Sequence, residues 1–291
     1  MTLLRVAPTL RRTDMLRTEL ETVPPRTTGF AAAVGPATAH TIATDERGLV
    51  AGEVTVDVAG FAMPTYRAAP EGDGPFPVVL VVCEIFGVHA HIADVARRFA
   101  KLGYLAIAPE LFVRQGDAKA PTDINTLLAT IVSKVPDAQV MGDLDACVAW
   151  AQGNRGDVRR LGITGFCWGG RISWLYAAHS TALRAGVAWY GRLVGQKSTL
   201  QPEYPVDVAA RLHAPVLGLY GGADTGIPLD SVEQMKAALG SGSDAARRSG
   251  FHVYPQAPHA FHADYRPSYD RAAAEDGWQR CVGWLRGHGV A

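Results

Sequence analysis

A doubly wound α/β domain, with a mostly parallel sheet and helices on both faces, is the fold class that this 291-residue sequence predicts. Three observations point there. From about residue 50 onward, strand-like and helix-like segments alternate along the chain. The run PVVLVV, residues 77–82, is apolar without alternation, as a strand buried on both faces requires. Several of the strand-like runs end in glycine-bearing turns that carry reactive side chains, and the carboxyl ends of the strands are where such sheets bind ligands.

The elements follow in order. EVTVDV (53–58) and the segment 63–67 predict a leading pair of strands. The buried strand 77–82 is followed by a helix over 90–102 and by a strand in YLAIAP, 104–109. A polar stretch, VRQGDAKAPTD, leads to helices over 123–133 and 137–152. Then come strand RLGITGF, helix 168–178, strands AGVAWYG and APVLGLYG, helix 229–239, strand FHVYP and a closing helix over 268–287. No repeat or low-complexity linker divides this region, so residues 49–291 read as one domain.

Residues 1–48 read as an irregular N-terminal arm. Its Arg-Arg pair and the small-residue run TTGFAAAVGPATAH caricature an export signal, but Glu19, Glu21, Pro24, Pro25 and Arg26 interrupt any apolar core. A cytoplasmic protein is the expectation, with an exported precursor as the alternative. No run approaches the roughly 20 apolar residues that a membrane span needs.

Composition narrows the function. Lys plus Arg and Asp plus Glu both number 28, so zero formal net charge removes the electrostatic case for a nucleic-acid or membrane partner. A small molecule is the expected partner, with the chain a monomer or a homodimer. Cys83, Cys147, Cys167 and Cys281 are widely spaced, with no C-x-x-C pair to suggest zinc or a redox dithiol.

The stretch TGFCWGG, 164–170, places Cys167 on a sharp strand-to-helix turn. Gly165, Gly169 and Gly170 leave room for the tight backbone, and the helix N-terminus behind the thiol favours thiolate. Taken alone, Cys167 could equally be a small buried spacer. Two later strand ends supply partners. GLYGGADTGIP presents Asp224, and FHVYPQAPHAFHADY presents His259 and His262. Nucleophile, acid and histidine in that chain order is the order of α/β-hydrolases. Individually, Asp224 could be a turn-forming residue and His259 a loop residue.

Together G-F-C-W-G-G, C-E-I-F-G-V at 83–88, Y-L-A-I-A-P-E-L at 104–111 and H-A-F-H-A-D-Y at 259–265 resemble the dienelactone hydrolase (carboxymethylenebutenolidase) family, from about residue 50 to the C-terminus. The resemblance implies an α/β-hydrolase fold with Cys167 as nucleophile, Asp224 as orienting acid and His259 as base. It implies that Glu84 holds the thiol until an anionic substrate displaces it, although Glu84 could instead cap helix 90–102 or pair with an arginine. The amides of Ile85 and Trp168 would bind the oxyanion. Arg114 would hold a substrate carboxylate. Ala263 stands where the family carries a second arginine, with Arg266 as a substitute or a solvated charge. Phe86, Trp168, Trp189 and Tyr190 would wall the pocket or serve as core. The expected function is a cofactor-free hydrolase of a small, anionic lactone or ester through an acyl-cysteine. A thioesterase or general carboxylesterase on the same triad is the alternative, and a non-catalytic binding protein the competitor from another class.

Overall fold

Val78 to Val82 have no solvent-exposed surface, and the fold is built around the strand they form. The computed structural model describes residues 41–121 and 123–291. Its elements are β1 (Leu49–Val58), β2 (Phe61–Pro70), β3 (Phe76–Val82), α1 (Ala90–Lys101), β4 (Leu105–Pro109), α2 (Ile124–Thr130), α3 (Asp137–Gly153) and β5 (Gly156–Phe166). There follow α4 (Trp168–His179), β6 (Leu183–Trp189), α5 (Pro205–Val208), β7 (Val216–Gly221), α6 (Leu229–Gly240), α7 (Asp244–Arg247), β8 (Gly250–Tyr254) and α8 (Arg271–Gly287).

The strands form one sheet in the order β1-β2-β4-β3-β5-β6-β7-β8. Pairing is parallel from β4 through β8, and β2 is antiparallel to both neighbours. The order reverses at β3, with β4 on one side and β5 on the other. That is the switch point at which such sheets open a crevice.

Helices cover both faces. A side chain at Gly162 of β5 would strike Leu285 of α8, whereas one at Gly165 would strike the backbone of α4. Positions three apart on a strand point to opposite faces, so α8 and α4 lie on opposite sides of the sheet. The ring of Phe99 in α1 packs 4.7 Å from Trp278 in α8, which puts α1 on the α8 side. The Tyr176 hydroxyl of α4 donates to Asp145 of α3 at 3.0 Å, which joins those two on the other.

Most predicted elements stand within a few residues of their expected limits. The predicted helix 123–133 is shorter: Asp123 caps Thr126, but the α-helix ends at Thr130 and a tighter 3₁₀ turn, Val132–Lys134, replaces its end. The closing helix begins at Arg271 rather than 268, because Asp270 accepts from the Ala273 amide at 3.0 Å and so fixes the start. The short α5 and α7 had no periodic signal to reveal them. Of the expected N-terminal arm, residues 1–40 lie outside the described residues. The part that follows is tied down: the Ile42 amide donates to Asp264 at 3.0 Å and the Thr44 amide to Asp94 at 2.6 Å.

Candidate active site

Cys167 is the hinge between β5 and α4, and its backbone takes φ +54° and ψ −113°, a region that side chains rarely enter. Its neighbours enforce the bend. A Cβ on Gly165 would collide with the Gly169 carbonyl, and one on Gly169 with the carbonyls of Val82 and Cys83 on the adjacent strand end. The Cys167 amide donates to the Trp189 carbonyl at 3.0 Å, which locks the turn onto β6. The sulfur is thereby held above the carboxyl edge of the sheet, at the N-terminus of α4.

The other strand ends bring its partners. After β7 the chain turns through Gly222 to Asp224, which is buried and accepts from the Gly226 amide at 2.8 Å. Its second oxygen shares a 2.7 Å hydrogen bond with His259 Nδ1. The opposite ring nitrogen, Nε2, lies 3.2 Å from Cys167 Sγ. Burial alone would lower the pKa of His259, but the carboxylate and the sulfur outweigh it and raise it to about 10. The three groups line one cavity of about 700 Å³.

His262, three residues on, is placed differently. It is buried against Phe166, Trp189 and Trp278 at ring distances of 5.1, 4.5 and 6.1 Å, and burial pushes its pKa well down. It does not reach the cavity of Cys167.

Ile85 and Trp168 line that cavity from the ends of β3 and β5. Trp168 is the first residue of α4, where amides have no intrahelical acceptor. Glu84, beside Ile85, is buried and accepts from His89 at 2.9 Å and from the Tyr265 hydroxyl at 3.1 Å. Burial would raise its pKa, yet His89, His91 and Arg266 bring it down to about 2. The N-cap of α1 is His89 and no side chain caps it, so Glu84 is not a helix cap. The Glu84 Oε1 atom is buried without a partner among the described residues, as is the Tyr190 hydroxyl.

The expected substrate-binding set is largely dispersed. Arg114 does not line the cavity: it lies 4.1 Å over the Phe61 ring and bonds Asp143 at 2.7 Å. Asp143 is 1% exposed, and a carboxylate that deep needs a counterion, which is the physical reason the arginine is withdrawn. Arg266 stacks over Phe86 at 5.6 Å, outside the cavity lining. Phe86 and Trp189 are core, the latter donating to Thr164 at 3.1 Å, and only Tyr190 of the expected aromatics beyond Trp168 reaches the cavity.

The remaining wall was not foreseen. It includes Leu128 of α2, Val132 and Ser133 of the 3₁₀ turn, and Arg171, Arg192 and Tyr204. Only the amphipathic run 123–133 gave a signal for the first group. The arginines gave none, since position in sequence does not reveal which carboxylate neutralises a cation.

Residues 63–289 match the model of the Dienelactone hydrolase family. The chain is 59% identical over 285 residues to a protein of Methylorubrum extorquens assigned as a carboxymethylenebutenolidase, covering 97% of this chain and 95% of that one. A protein of Escherichia coli O157:H7 with the same assignment is 56% identical over 262 residues, covering 90% of this chain and 96% of its own. A crystal structure from Klebsiella pneumoniae, assigned as a dienelactone hydrolase, superimposes with a TM-score of 0.79 at 57% identity, over 82% of this chain and 98% of that one.

Proposed function

The chain belongs to the dienelactone hydrolase family of the α/β-hydrolase superfamily, and from that premise we propose that this carboxylic ester hydrolase opens a small lactone or ester with a Cys167-His259-Asp224 triad, through an acyl-cysteine intermediate. The observation that carries the reading is His259, which bridges Cys167 at 3.2 Å and Asp224 at 2.7 Å inside the cavity.

In the first half-reaction His259 Nε2 takes the thiol proton, the Cys167 sulfur attacks the ester carbonyl carbon and a C–S bond forms. The carbonyl oxygen becomes an oxyanion that the amides of Ile85 and Trp168 hold. The ester C–O bond then breaks, and the departing alkoxide takes the proton from His259 Nε2. In a lactone this alkoxide stays tethered to the acyl group. In the second half-reaction a water gives its proton to His259 and attacks the thioester carbon. The C–S bond breaks, the acid leaves and the thiol is restored. Asp224 keeps the ring oriented and favours its cationic form throughout.

Glu84 modulates the nucleophile in this reading. Its carboxylate, held by His89 and Tyr265, leaves the thiol to His259, while the unpartnered Oε1 keeps a second hydrogen bond available.

The size of the cavity, about 700 Å³, favours a second reading in which bulkier aryl esters or acyl thioesters are the better substrates. Initial rates on a panel of lactones, aryl esters and acyl thioesters test both. Mass spectrometry of a rapidly quenched reaction should show an acyl group on Cys167, and turnover without any such adduct would remove the covalent mechanism.

A further inference from the structure

A second cavity, of about 240 Å³, shares no lining residue with that of Cys167. It lies between α1, α8 and the segment that joins β8 to α8. Three flat rings line it, those of His262, Tyr269 and Trp278, with Ile42 and Ala274 as aliphatic surface. The charged groups of the lining are already paired. Arg98 donates to Asp94 at 2.6 Å and to Asp264 at 2.9 Å, while Glu275 accepts from Arg271 at 2.8 Å. A neutral ligand suits such a lining better than an ion does.

His262 is the group with bonding capacity unused. It is buried, its Nδ1 has no partner, and no described residue bonds its Nε2. Burial holds its pKa well down, so the ring is neutral. Buried polar groups are nearly always bonded, and an imidazole bonded at neither nitrogen marks a place where a partner belongs. The surroundings of that place are fixed. The imidazole packs 5.1 Å from Phe166 and 5.5 Å from His91, the Ile42 amide donates to Asp264 at 3.0 Å, and the Tyr269 amide donates to the Arg266 carbonyl at 3.1 Å.

We propose that this cavity is a second small-molecule site, which takes a neutral single-ring phenol with its ring against Trp278 and Tyr269 and its hydroxyl on the imidazole of His262. The volume sets the size: an apolar cavity of about 150 Å³ takes benzene, so this one holds a single substituted ring. The flat walls select an aromatic ring over a puckered one, through stacked and edge-on contacts. A hydroxyl both donates and accepts, so it satisfies His262 in either neutral tautomer. The site stands whether or not the chain hydrolyses esters, since no group of the triad lines it.

The test uses the whole chain. Crystals grown with 4-bromophenol should place the anomalous bromine signal in this cavity. In solution, calorimetry should give phenol a Kd on the order of 1 mM, as befits so small a ligand, and cyclohexanol a weaker one by about threefold. His262→Phe keeps a flat ring and removes the hydrogen bond, so it should weaken phenol by about three- to tenfold and leave toluene unchanged. Ala274→Leu within the cavity and Gln279→Trp at its exposed rim should each exclude phenol, with ester hydrolysis near the wild-type rate. Bromine found only in the cavity of Cys167, the second cavity filled by the chain itself, or binding at crystal concentration only overturns the proposal. So does phenol binding that survives Ala274→Leu and Gln279→Trp, or that His262→Phe leaves unchanged.

Discussion

The Nε2 atom of His259 lies 3.2 Å from the sulfur of Cys167, so the imidazole and the thiol side chain share a hydrogen bond. Burial works against the charged imidazole, yet the Asp224 carboxylate and the Cys167 sulfur raise the pKa of His259 to about 10. Cys167→Ala should therefore abolish turnover while leaving the thermal transition near wild type, since a small residue fits the bend. Cys167→Ser should retain only weak activity, because a hydroxyl demands a stronger base than a thiol does. Wild-type hydrolysis by the alanine variant would move the nucleophile elsewhere.

The two histidines of the last loop should separate cleanly. His259→Ala should lower kcat by about 10²–10⁴, the usual range for loss of a general base. His262→Ala should leave a much more active enzyme but a less stable one, because a ring packed among Phe166, Trp189 and Trp278 is removed. Steady-state rates and denaturant titrations of both variants read the difference, and the opposite ranking in kcat would exchange their roles.

Glu84 should govern the reactivity of the thiol. Burial already opposes ionisation of the Tyr190 and Tyr265 phenols, and the charges of Glu84 and Cys167 both add to that opposition, so the four groups share one electrostatic neighbourhood. Replacing the carboxylate by an amide removes a like charge from the thiolate. Glu84→Gln should alkylate faster with iodoacetamide near neutral pH, its rate profile displaced to lower pH, with Cys167→Ala subtracting the other cysteines. Superimposable profiles would reduce Glu84 to a structural group held by His89 and Tyr265.

The network behind the site should shape acid stability. Burial would raise the pKa of Asp264, but His91, the Ile42 amide and Arg98 depress it from 3.8 to about 2. A depressed carboxylate contributes stability that is complete above its unfolded value and is lost as pH falls through its folded one, so the window runs from about 4 down to about 2. Asp264→Asn should lower the melting temperature at neutral pH and flatten the decline inside that window. A variant whose acid limb matches wild type would show that other carboxylates set it.

The grouping of Cys167, Asp224 and His259 was legible because each stands at a strand end marked by glycines or by a short polar loop, signals that are local in sequence. Cys167 is announced by Gly165 and Gly169, and Asp224 by Gly221 and Gly222. The arginines were illegible for the opposite reason. Arg114 is neutralised by Asp143 of α3, and Arg171 by Asp137, 34 residues away along the chain, so which cation stays available depends on pairings made only by the fold. The shortening of helix 123–133 has a local cause. The run Ile131, Val132 and Val135 is β-branched, and Ile131 departs from helical geometry at φ −120°.

The helix α2, which carries Leu128 into the cavity wall, is anchored by one buried side chain, that of Leu127. Cys167, Trp168 and Arg171 of the same lining stand at the junction of β5 and α4, in a closely packed core where a change of a single methylene is felt. Substitutions along α2 can therefore alter what the cavity accepts at little cost in folding free energy, whereas the strand ends that hold Cys167, Asp224 and His259 cannot drift. New substrate ranges are most accessible to mutation on this one helix, and a randomised library confined to its exposed positions, 124–126 and 128–130, should yield folded enzymes of altered selectivity far more often than an equal library across the β6 and β7 turns.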